Sequence, residues 1–298
     1  MFSPLYVVLF PFFLAHAESV SALRAVALTP ALAEIAGDLC GTPVACPTFV
    51  GAVEFADEPV WVREIPRIGS YDGLSFEKLL SLRPTHVLAS RDGNARLEVE
   101  RIERTGIKVE TYDSKTLGGI EATAASLARL FQVGSRWSEA QQDWERAKEE
   151  LRKLRAERTG RRTGVTRVAL VVGIEPWTLI AGGSFITDGL REAGVENVFA
   201  SSNRSYVTVE TEQIVAAKPD MIWIALGQGV GGIGERAVKQ ARDRLARFHL
   251  RTEAVEDPRV LRPTLRFPRA LAALVRSLPS DDGAYDGADV QADDRGLR

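Results

Sequence analysis

Three histidines and two cysteines are the whole stock of soft or nucleophile-activating side chains in a chain of 298 residues. His16 sits in an apolar N-terminal segment, so only His86 and His249 are left for chemistry, which gives a His-rich zinc centre or a Ser-His-Asp hydrolase little to work with. No G-x-S-x-G elbow occurs, and neither Gly182-Gly183-Ser184 nor Gly229 to Gly234 has phosphate-binding spacing after a first strand. Glu34 and Asp38, four residues apart, are read as a solvated helix face rather than an acid/base pair. These features argue against an exported α/β enzyme and against a zinc or manganese carrier. No resident cofactor is expected.

Two other pairs carry more information. Cys40 and Cys46 fall in one short stretch, where a bridge would contribute about 2 kcal/mol in the chain-entropy model; two buried free thiols are the alternative. Tyr71 and Glu77 recur, with the same spacing, as Tyr206 and Glu212. Laid over each other without a gap, residues 71–88 and 206–223 match Tyr with Tyr, Glu with Glu, and Arg83-Pro84 with Lys218-Pro219.

The repeated unit reads as a short helix followed by a buried parallel strand. Leu79, Leu80 and Leu82, like Ile214 and Val215, supply an apolar face, and Ser75 and Thr211 are placed as N-caps. Pro84 and Pro219 stop the helix by driving the preceding residue out of the α region. Val87-Leu88-Ala89 and Met221 to Ala225 follow as strands. A weaker echo opens each half: Leu23 to Leu28 and Thr166 to Val172 read as strands, followed by helices ending at Gly37 or Gly41 and at Gly194.

Between the halves, Trp137, Trp144 and Leu151 recur every seven residues, with Ala140, Ala147 and Leu154 offset by three. This predicts one long helix with a single apolar stripe; a short heptad coiled coil is the alternative. The fold class is therefore α/β, with two lobes of related design, 18–134 and 161–279, joined by a helix over 135–160. Residues 1–17 read as an export signal cleaved near Ala17, and the acidic, glycine-containing tail 280–298 as disordered. Lys and Arg total 38 against 40 Asp and Glu, so no basic surplus exists for nucleic acid.

The order of export signal, Arg24-Ala-Val-Ala-Leu-Thr-Pro30, Gly69-Ser-Tyr-Asp-Gly-Leu-Ser-Phe-Glu77, lone interlobe helix and Val209-Glu-Thr-Glu212-Gln-Ile-Val resembles periplasmic binding proteins of cobalamin and ferric-siderophore ABC importers. The likeness leans toward the cobalamin branch through Ser90-Arg-Asp-Gly-Asn-Ala95 and Gly173-Ile-Glu-Pro176. It implies two Rossmann-like lobes enclosing a cleft, and a monomeric periplasmic carrier that holds a corrinoid in that cleft and delivers it to a permease dimer. Glu77 and Glu212 match the carboxylates that dock on permease arginines, and the repeat lets one contact be made twice on a two-fold partner. Helix-dipole carboxylates are the plainer reading of both.

Tyr71 and Tyr206 match ligand-packing aromatics, against the alternative of ordinary loop tyrosines. Trp177, Trp61, Phe55, Arg91, Asn94, Asp257 and Arg262 are further cleft candidates. Ser90 stands where cobalamin binders carry a ligand-packing tryptophan, which keeps ferric siderophore and haem as alternative cargoes. The Arg-rich loop Arg259 to Arg269 would suit an anionic one.

Overall fold

The computed structural model describes residues 22–70, 73–161, 165–226 and 233–278. The export signal, Tyr71, most of the 229–234 glycine run and the acidic tail lie outside the described residues.

The first lobe contains β1 (Ala25–Ala27), α1 (Pro30–Cys40), β2 (Phe49–Ala52), β3 (Gly69–Ser70), β4 (Gly73–Leu74), α2 (Phe76–Ser81), β5 (His86–Ser90), α3 (Arg96–Glu103), β6 (Lys108–Tyr112) and α4 (Leu117–Leu130). After α5 (Gly134–Arg161), the second contains β7 (Thr166–Ile174), β8 (Trp177–Ile180), α6 (Phe185–Glu192), β9 (Val195–Asn197), β10 (Tyr206–Val209), α7 (Thr211–Ala217), β11 (Met221–Ala225), α8 (Glu235–Ala246), β12 (Thr252–Val255) and α9 (Phe267–Arg276).

The sequence repeat becomes a repeat of topology. One sheet is wholly parallel, in the order β2-β1-β5-β6. The other holds the same arrangement as β9-β7-β11-β12, again parallel throughout. Its addition is β8 and β10, which pair antiparallel beyond the first half of β7. Thr166 to Val168 pair with β9, while Val171 to Ile174 pair with β8 across a register shift.

Caps and helix ends repeat as well. The Ser75 hydroxyl accepts from the Lys78 N–H at 3.3 Å. In the second copy the N-cap is Glu210, the residue aligned with Ser75, and not Thr211 as expected; the Gln213 side chain accepts from the Glu210 N–H at 2.8 Å. The Thr211 hydroxyl has a different use, accepting the Trp177 indole N–H at 3.0 Å.

The aligned residues before proline, Arg83 and Lys218, adopt φ of 47° and 48°. Proline excludes the right-handed helix there, and both copies escape into the left-handed region rather than into an extended conformation. An L-residue costs about 1–2 kcal/mol in that region, while glycine adds a smaller entropic cost. Arg83→Gly and Lys218→Gly are each expected to raise stability by about 0.5 kcal/mol. Urea unfolding midpoints check this, and a lowered midpoint would contradict it.

Each sheet is covered on both faces. In the first lobe α1 and α4 pack on one side and Leu79 and Ile102 of α2 and α3 on the other. The second lobe uses α6 and α9 on one side and Ile214 and Val238 of α7 and α8 on the other. The 28 residues of α5 extend about 42 Å at 1.5 Å per residue. Its stripe serves both cores rather than a coiled coil: Trp137 and Ala140 pack on the first lobe, while Trp144, Leu151 and Leu154 belong to the second. Cys40, the last residue of α1, forms a disulfide with Cys46, and the helix closes on Gly41 at φ 71°; Gly37 lies inside the helix.

Candidate functional site

Both parallel sheets point the C-terminal ends of their strands toward the space between the lobes, where open α/β sheets bind ligands. A cavity of about 300 Å³ lies there. Thr29, Pro30 and Ala31 enter it from the start of α1, and Gly183, Ser184 and Phe185 from the start of α6. These helices are equivalent in the repeat, so two helix N-termini face one space. Their first-turn amides are partly met by the Thr29 and Ser184 hydroxyls. Gly182 is required by closeness: a Cβ there would stand 2.1 Å from the Ala200 carbonyl oxygen.

Ser90 ends β5 and Asp92 and Gly93 follow it, Ser114 and Lys115 follow β6, and Leu261, Arg262 and Pro263 come from the turn before α9. Asp92 joins the two rims. Its carboxylate meets Lys115 Nζ at 3.0 Å and accepts the hydroxyl of Ser205, from the opposite lobe, at 3.2 Å. Tyr206 lines the same cavity with 53% of its surface exposed.

A second set of contacts clamps the lobes behind this cavity. Arg262 pairs with Glu34, and Arg266 pairs with both Asp38 and Glu58. Glu34 and Asp38 are therefore not a solvated face: Glu34 is 2% exposed, because the C-terminal segment lies over α1. Burial raises the Glu34 carboxyl above its ordinary range, opposed by Arg262 and by the Asp57 N–H; burial likewise raises Asp38 against Arg266. The Arg259 to Arg269 loop is consequently no open anion site. Arg262 and Arg266 are taken, Arg259 binds Asp257 at 2.8 Å, and Arg269 lies 3.7 Å from Asp143.

Of the residues singled out from sequence, the structure brings Tyr206 and Arg262 to the cavity. Trp177 is elsewhere. It is 2% exposed in the second-lobe core, bonded to Thr211 and covered by the Arg244 guanidinium 4.9 Å from its ring centre. A tryptophan at a strand end can turn to either face of the sheet, and this one turns toward α7 and α8. Trp61 packs edge-on against Phe49 at 6.3 Å on the first-lobe core, and half-exposed Phe55 adopts φ 63° on the loop after β2.

Asn94 shapes the rim without lining it. Its side chain accepts from the Ser90 N–H at 2.8 Å and donates to the Leu28 carbonyl at 3.2 Å, a fold-back that turns Asp92 and Gly93 to the cavity. Arg91 points to Asp113 at 3.7 Å. Asp257 caps the turn before Arg262, and its carboxyl is held below the usual range chiefly by the Arg259 hydrogen bond.

The missed cavity residues are Thr29, Asp92, Ser114, Lys115, Ser184 and Ser205. Most sit within a few residues of a strand's end or a helix's start, a positional signal that was present in the sequence. Glu77 and Glu212 occupy equivalent places in the first turns of α2 and α7, both exposed and neither in an ion pair among the described residues.

A family model described as periplasmic binding protein matches residues 26–249. The vitamin B12-binding protein of Salmonella typhimurium is 32% identical over 205 residues, covering 69% of this chain and 73% of that protein. Among solved structures, the periplasmic vitamin B12-binding protein of Vibrio cholerae has a TM-score of 0.67 at 21% identity, covering 85% of this chain and 98% of its own. A periplasmic haem-binding protein from Pseudomonas aeruginosa reaches 0.70 at 22% identity, covering 85% and 91%. These structural likenesses show the fold, and the relatives are binding proteins rather than enzymes. Two repeated lobes around one cleft, with the family model matching three quarters of the chain, make this chain a member of the periplasmic binding protein family.

Proposed function

We propose that the chain captures a corrinoid in the interlobe cleft and hands it to the permease dimer of an ABC importer, through Glu77 on one lobe and Glu212 on the other. It does so as a monomer in the periplasm, its export signal removed near Ala17. The observation that carries the reading is the cavity built from equivalent elements of both lobes, together with kinship to a vitamin B12-binding protein at 32% identity. Its lining suits a large neutral ligand: hydroxyls for side-chain amides and the Tyr206 ring for an apolar face. Tyr71 joins this proposal through its place in the sequence repeat with Tyr206, and Asn94 and Asp257 join as groups that shape the turns beside the cavity.

At about 300 Å³ the cavity stands at the bottom of the usual range for small-molecule sites, so a macrocycle must part the Asp92–Ser205 contact to enter. Haem is the second reading, favoured by the Pseudomonas aeruginosa neighbour and by a tyrosine at the cavity. An anionic siderophore is less well served, since the loop arginines are paired with carboxylates.

Titrating the purified protein with cyanocobalamin and, separately, with haemin, followed by calorimetry and absorbance, decides between them. One-to-one binding of cyanocobalamin is expected, weakened about tenfold by Tyr206→Ala through loss of a packed ring worth about 0.5–1.5 kcal/mol beyond its area. Binding of haemin alone would replace the corrinoid reading.

A further inference from the structure

The repeat extends past the docking carboxylates to a pair of arginines. Residue 76 precedes Glu77 and residue 211 precedes Glu212, and each is touched by an arginine from the next helix of its lobe. The Arg101 guanidinium of α3 lies 4.2 Å from the centre of the Phe76 ring. The Arg244 guanidinium of α8 donates to the Thr211 hydroxyl at 3.3 Å and covers the Trp177 ring, whose indole binds that same hydroxyl. The helices α3 and α8 hold the same place in the two lobes, α3 following β5 between β1 and β6, and α8 following β11 between β7 and β12. Neither Arg101 nor Arg244 forms a salt bridge among the described residues, and both are exposed. Two unrelated local solutions, an aromatic face in one lobe and a hydroxyl with an indole in the other, thus fix a guanidinium beside equivalent helix starts.

We infer that Arg101 and Arg244 are a second symmetric pair of docking groups, so that each lobe offers the permease a carboxylate and a guanidinium side by side. The proposal rests on the docking role of Glu77 and Glu212 given above. A guanidinium stacked on a ring or held by a hydroxyl keeps donors free in a fixed plane, suited to a carboxylate or to backbone carbonyls at a helix end. The partner surface that fits is a cation with an acceptor next to it, presented twice about a two-fold axis. A permease offering cations alone would meet the arginines as like charges, so the pairs also select the partner and fix its register.

The experiment uses the full-length protein and its own importer, permease with ATPase, reconstituted in liposomes. Arg101→Gln combined with Arg244→Gln is expected to lower importer affinity at least tenfold and flatten its salt dependence, with cyanocobalamin or haemin affinity and thermal midpoint unchanged. Arg101→Lys with Arg244→Lys, which keeps the charge and loses the planar fork, is expected to fall between. Unchanged importer affinity in the Gln variant, while reversal of Glu77 and Glu212 still abolishes stimulation, would overturn the arginine pair alone. If reversing the two glutamates also changes nothing, the docking reading fails, and this inference falls with it. A lowered thermal midpoint with unchanged salt dependence would assign the arginines to folding and overturn their docking role.

Discussion

Arg262→Ala is expected to destabilise the protein by about 3 kcal/mol at neutral pH, a large effect for one surface-rimmed side chain. The Glu34 side chain is 3% exposed and that of Arg262 is 23% exposed, so removing the arginine leaves a buried carboxylate with one backbone N–H and the weaker pull of the Arg266 charge. Breaking a buried pair from one side costs about 3–5 kcal/mol, because the remaining charge stays desolvated. Glu34 has an exit that limits the loss: it can take up a proton. From its ordinary value of 4.5 to pH 7, that costs about 3.4 kcal/mol at 1.36 kcal/mol per pH unit. The lower end of the range is therefore the ceiling that applies.

The same argument fixes the pH dependence. A carboxyl whose pKa is raised on folding binds more protons in the native state than in the unfolded one, so its contribution to stability falls as pH rises above the unfolded value. Without Arg262 the raised pKa rises further, and the deficit of the variant should shrink as the solution is acidified from pH 7 toward 5. Adding Glu34→Gln to Arg262→Ala should restore most of the loss and abolish this slope, since a neutral amide oxygen still accepts the Asp57 N–H. Denaturant midpoints at several pH values measure both. A pH-independent deficit would mean that packing, not charge, holds the C-terminal segment to α1.

Reversing both docking carboxylates, Glu77→Lys with Glu212→Lys, is expected to reduce importer stimulation to the level seen without the protein. Removing one partner of a charge-assisted hydrogen bond at an interface costs about 2–5 kcal/mol, and two such removals at about 1.4 kcal/mol per decade come to about three decades of affinity at the low end. Single reversals should be intermediate, because each site raises the effective concentration of the other. Folding should survive. Both residues are exposed in first turns, where the helix dipole is worth about 0.3–1 kcal/mol. Ligand binding should be intact, since neither residue lines the cavity. Normal stimulation by the double variant would refute docking through these residues.

How much of this was legible in advance follows the range of the forces involved. The cation-proline repeat predicted both helix stops, and the matched left-handed residues Arg83 and Lys218 show how deep the repeat runs. The apolar stripe of α5 was visible, but that Trp137 and Trp144 serve different cores was not, because periodicity marks a face without naming what covers it. At the cleft, aromatic character marks Tyr206, which lines the cavity, and equally Trp177, which the sheet turns inward. The Asp92 carboxylate, rather than its neighbours Arg91 and Asn94, lines the cavity. Which of four consecutive loop residues faces a cavity depends on the turn, here set by the Asn94 amide reaching back to Leu28.

By itself the sequence determined the local and the periodic: two α/β lobes of one design, their caps and stops, the bridging helix, and a cysteine pair close enough to join. Only the tertiary structure decided what lies across from what. Glu34 and Asp38 have the spacing of a wet helix face, and Arg262 and Arg266 repeat that spacing 228 residues later. Charges four apart look the same in sequence whether water or another lobe covers them, because the spacing reflects the helix alone and the partner arrives only when the lobes close.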